Sequence, residues 1–97
     1  MFLVVLRYKK PLSEVDRFIP EHREFLARHY ASGHFLLSGR NEPRDGGVIL
    51  ARAHERSEID EIVRRDPFHR EHIADYEVIE FIPSMSAEEL SGLVEGH

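Results

Sequence analysis

The chain has 97 residues, a formal net charge of −5 and no cysteine, with 41% hydrophobic and 9% aromatic content. These values fit one folded globular domain with a modest core and exclude disulfides and cysteine chemistry. Lysines and arginines are scattered rather than clustered, which argues against nucleic acid as the main partner.

Phe2 to Leu6 is a continuous apolar run that reads as a central strand. It is far too short for a signal-peptide core or a membrane span, and the lack of cysteine suits a reducing cytoplasm. Pro11 ends the strand, and Ser13 offers a helix N-cap. Val15, Phe18, Ile19, Phe25, Leu26 and Tyr30 then recur at helical spacing. Pro20 interrupts this stretch, so the pattern predicts a short turn over 13–18, a kink, and a main helix over 20–31. The stripe position between Ile19 and Phe25 is His22, an ionisable group whose burial is costly without a partner. In the first turn of a main helix, the dipole would favour its neutral imidazole. Gly33 is a helix stop.

Residues 34–40 read as a second strand, 41–47 as a hairpin connection, and 48–51 as a third, central strand. Ser57 is the expected N-cap of a second helix reaching Arg65, with Glu58, Asp60 and Glu61 in its first turn. Its stripe is Ile59, Ile62 and Val63, and the next inward position is Asp66, held stiffly by Pro67. One more turn is expected around residues 68–73. Tyr76 to Phe81 alternates as a fourth strand with an ambiguous buried face. Ser86-Ala-Glu-Glu89 is a capping-box pattern opening a weak tail helix limited by Gly92 and Gly96.

The order βαββαβ with right-handed crossovers specifies an α+β, ferredoxin-like sandwich with both helices on one sheet face. A second subunit is the simplest cover for the other face, so a homodimer or a higher oligomer is expected. Residues 1–83 form the domain, and 84–97 a tail.

The segment His22-Arg-Glu-Phe25-Leu26, the Ser38-Gly39 strand end, the glycine-rich turn before Val48, and Asp66-Pro67-Phe68 together resemble the YciI-like, or YCII-related, family. The resemblance implies a dimeric α+β barrel and a His-Asp active site, matched here by His22 and Asp66. Many members carry proline where this chain has Arg40. Some relatives are linked to cofactor-free elimination or isomerisation of aromatic breakdown products.

Two readings follow. One is a cofactor-free small-molecule enzyme of lyase or isomerase type, with His22 as general base and Asp66 orienting it. Ser38, Arg40 and Phe68 are then candidate substrate contacts, Arg40 toward an anionic group. The other is a non-catalytic dimeric ligand-binding or accessory protein whose His-Asp pair fixes helix packing. His69 and His72 have helical ligand spacing with Glu71 between them, but no third ligand is placed, so no metal site is assigned. His29, His34, His54 and His97 read as surface or element-end residues. In parallel helices, a His22 near one start and an Asp66 at the other end stand about 15 Å apart along the axes, so direct contact is open at this point.

Overall fold

The computed structural model describes residues 1–94. Its elements are β1 (Phe2–Tyr8), α1 (Leu12–Ala31), β2 (Phe35–Arg40), β3 (Gly46–Ala51), α2 (Arg56–Arg64), α3 (Pro67–Arg70) and β4 (Ala74–Glu80), followed by a 3-10 segment, Glu88–Leu93. The four strands form one antiparallel sheet in the order β2-β3-β1-β4. This is the expected ferredoxin-like arrangement, and both predicted central strands are central. No helix of the described residues is long and apolar enough to cross a membrane.

Side-chain alternation divides the sheet. Phe2, Val4 and Leu6 of β1 are buried with Ile49 and Ala51 of β3, and they pack with Val15, Phe25, Ile59, Ile62 and Phe68 from the helices. On β4, Ala74, Tyr76 and Val78 join this core, which settles the face left ambiguous by the sequence. Leu3 pairs across the strands with Leu50 and Ile79, and Val5 with Val48, so these side chains share the opposite face. That face stays partly open, with Val48 36%, Leu37 66% and Ile79 42% exposed.

Gly46 begins β3, whereas the sequence suggested a start at Val48. A Cβ there would lie 1.8 Å from the Leu6 carbonyl oxygen, so only glycine permits this approach of β3 to β1.

Three expectations about helix ends and breaks need correction. First, α1 runs unbroken through Pro20. The lost hydrogen bond is tolerated because residues on both sides of the proline, Val15 and Phe25, are fixed in the same core. His22 therefore lies near the midpoint of α1 rather than in a first turn, and the N-terminal dipole argument does not apply to it. Second, the cap positions are Pro11 and Glu55 rather than Ser13 and Ser57. At α2 the Glu58 carboxylate accepts from the backbone N–H groups of His54 and Glu55, supplanting the serine. Third, the tail forms a 3-10 segment with no buried residue, and the Ser86 hydroxyl donates to the Ala87 carbonyl instead of capping it. Gly96 and His97 lie outside the described residues.

His29 is also misplaced by the sequence reading, since it is only 8% exposed. Its ring packs 4.8 Å from Phe25 and 5.2 Å from Phe35, and among the described residues its Nδ1 has no hydrogen-bond partner. Burial, then the positive surroundings of His34, Arg28 and Arg65, hold its pKa below the usual 6.5. The unfolded chain therefore takes up this proton more readily, and stability falls as pH drops below about 6.5. His29→Leu removes both the orphaned nitrogen and the titration. It is expected to be more stable than the parent by about 1 kcal/mol at neutral pH. The gap should widen between about pH 7 and about pH 5, as thermal denaturation at both values will show.

Candidate functional site

α2 ends at Arg64, and the chain breaks direction at Asp66, where Pro67 forbids a helical residue before it. Asp66 becomes the N-cap of α3, and its Oδ1 accepts the Phe68 N–H at 3.0 Å. The same oxygen accepts His22 Nδ1–H at 2.8 Å, and Oδ2 accepts the Tyr76 hydroxyl. The Asp66 side chain is 0% exposed. A carboxylate withdrawn this far from water needs such donors, and here three elements supply them. Burial, followed by the adjacent Asp66 charge, pushes the Tyr76 phenol far above its ordinary range.

His22 and Asp66 thus touch within one subunit. The expected separation assumed a short main helix. Over 20 residues α1 is about 30 Å long, so its midpoint falls level with the far end of the nine-residue α2.

Phe68 lies flat against the imidazole, with ring centroids 4.2 Å apart and planes 7° from parallel. Tyr8 meets the Phe68 ring edge-on at 5.8 Å. With Nδ1 committed to Asp66, Nε2 has no partner among the described residues and remains open at a cleft of about 680 Å³ that His22 lines. The cleft lies between α1 and the β2–β3 hairpin. Ile19 and Leu26 line it from the helix, with Ser38, Arg40 and Ile49 across from them.

Each candidate residue can now be placed. His22, Asp66 and Phe68 form one packed unit. Ser38 and Arg40 stand apart from that unit on the far wall of the cleft. Ser38 shares a hydrogen bond with the Tyr30 hydroxyl. Exposed His69 packs against the Tyr76 ring at 5.5 Å, and His72 sits in the left-handed region at φ 57°. Among the described residues, no group of three His, Asp or Glu side chains could hold a metal ion.

Tyr76, Tyr30 and Arg23 were missed by sequence reasoning. The alternation on β4 offers Tyr76 as part of one of two possible inward faces, and nothing in the sequence joins it to Asp66. Arg23 lines the cleft beside His22, and Arg44 of the hairpin ion-pairs with Asp16 of α1 at the same cleft.

The YCII-related domain model matches residues 1–82. The chain belongs to the YCII-related domain family. Among solved structures, the domain is similar to 5-chloro-2-hydroxyhydroquinone dehydrochlorinase (TftG) from Burkholderia phenoliruptrix AC1100, in complex with 2,5-dihydroxybenzoquinone. The TM-score is 0.67 at 17% identity, over 86% of this chain and 95% of that one. This likeness shows the fold. No curated protein matches the sequence.

Tyr76→Phe strands Asp66 Oδ2 without a donor and is expected to cost about 1–3 kcal/mol in denaturant unfolding. Because folding raises the Tyr76 pKa, this phenol's stabilising contribution is complete below about 10 and is lost as pH rises beyond it. The phenolate absorbance titration of the native protein should therefore be the same with or without Tyr76, while that of the unfolded chains should differ by one tyrosine.

Proposed function

We propose that this YCII-related domain is a cofactor-free small-molecule enzyme of lyase or isomerase type, with His22 as general base and Asp66 orienting it. The observation that carries the reading is His22 itself. One ring nitrogen is fixed on a buried carboxylate, and the other is open to a cleft large enough for a small organic molecule.

The Nδ1–H···Oδ1 bond selects the tautomer with its lone pair on Nε2. That lone pair takes a proton from a carbon next to a carbonyl. The electron pair left behind forms a new double bond. In an elimination, a leaving group on the neighbouring atom departs with its own bonding pair. In an isomerisation, the proton returns at another carbon. Asp66 stabilises the transient imidazolium, and Phe68 keeps the ring from turning. A positioned base of this kind contributes roughly 10²- to 10⁴-fold to rate. The dehydrochlorinase named for the similar structure supports elimination from a small hydroxylated ring as the reaction type. Ser38, Arg40 and Phe68 are the proposed substrate contacts.

We also infer a homodimer closed through the open sheet face, where Leu37 and Ile79 are heavily exposed. Light scattering at micromolar concentration should give twice the 11.3 kDa chain mass. Leu37→Glu with Ile79→Glu should give monomers, and a monomeric parent would refute the inference.

His22→Asn and Asp66→Asn test the chemistry, with hydroxylated, halogen-bearing quinols as the first substrates screened. Turnover should fall by about 10² or more in His22→Asn while ligand affinity changes little, since a general base acts on the transition state. Equal losses of affinity and turnover, or a sharp loss of stability with normal turnover, would instead identify a binding protein or a packing pair.

A further inference from the structure

The cleft is cationic on an anionic chain. Overall charge is −5, yet among the described residues the cleft walls carry Arg23, Arg40 and Arg44 against one carboxylate, Asp16, which Arg44 already neutralises. Carboxylates are plentiful elsewhere, with 18 Asp and Glu residues against 13 Lys and Arg. Arg7, Arg17, Arg56, Arg65 and Arg70 all find one. Among the described residues, Arg23 and Arg40 have no ion pair, and they share this cavity; Arg28, Arg52 and Arg64 also lack one but lie outside it. Asp66 adds no competing oxygen, because its carboxylate sits fully buried behind the imidazole with three donors.

Position supports the same conclusion. Ser38 pairs across the strands with buried Ile49, and Arg40 follows two residues later on the same face, toward α1. Arg23 faces the cleft from α1, next to His22. Between these charges the walls are apolar, with Leu6, Ile19 and Leu26. A guanidinium holds a carboxylate through two parallel hydrogen bonds, and it does so best against a partly apolar wall.

We infer that the natural ligand of this cleft is a small organic anion, with a carboxylate bound by Arg23 and Arg40 and a flat hydrocarbon body on the apolar wall. The assignment rests on the reading of the cleft as a small-molecule site. It adds the substrate's charge class to that reading, and names Arg23 as a second anion-binding arginine beside Arg40.

The test is calorimetric titration of the full chain with salicylate and with salicylamide, which has nearly the same shape without the carboxylate charge. Salicylate should bind about ten-fold tighter or more. The preference should shrink as salt is raised and vanish in Arg23→Gln/Arg40→Gln, whose exposed side chains leave the fold intact. Arg64→Gln, on the solvated face of α2, should keep it. Equal binding of the two ligands, a preference that survives the double substitution, or no binding of either at millimolar concentration would overturn the assignment. His22→Asn should retain the preference while losing turnover. The charge class and the acid–base chemistry therefore stand or fall separately.

Discussion

A carboxylate with no exposure to water must be paid for in hydrogen bonds, and Asp66 collects three from three directions. The Phe68 amide comes from the turn it caps, the His22 ring from α1, and the Tyr76 hydroxyl from β4. Removing any one would leave part of a buried charge unpaired, which is among the more costly defects a core can carry. The demand therefore reaches well beyond one residue. It ties the break between α2 and α3 to the inward face of β4 and to the rotation of α1. Geometry that organises the cleft and geometry that holds the two halves of the chain together are the same geometry.

The length of α1 matters as much as its composition. A helix twice as long as its neighbour can bring its middle, rather than its end, to the point where the shorter one stops. The middle lies far from the open amides and carbonyls of both helix ends, so the imidazole is steered by its neighbours' side chains. Phe68 sets its plane and Asp66 its tautomer.

Much of this was legible in the residues. Continuous apolar runs at Phe2–Leu6 and Val48–Ala51 marked the central strands, because a strand covered on both faces cannot alternate strongly. His22 and Asp66 stood out as titratable groups at stripe positions. Other features were not legible for physical reasons. Local propensity breaks the helix at Pro20, but a stripe anchored on both sides outweighs one lost hydrogen bond. His29 continues that stripe one turn after Phe25, yet imidazole is polar enough to be assigned to the surface. Ser57 is a better isolated cap than Glu55, but Glu58 satisfies the same amides from the next turn. The contact of Tyr76 with Asp66, and the placing of Arg23 and Arg40 on the walls of one cleft, exist only once the sheet has closed.

The face-to-face stack of His22 on Phe68 has a stereochemical consequence. One side of the imidazole is covered by a parallel phenyl ring, and the far edge is pinned to Asp66. The Nε2 lone pair lies in the ring plane, and His22 meets the cleft with that edge. A base confined in this way meets a bound methylene from a single direction, so for the proposed proton transfer its two hydrogens are not equivalent. Handedness in the reaction would then originate in an aromatic contact that never touches the substrate's reacting bond.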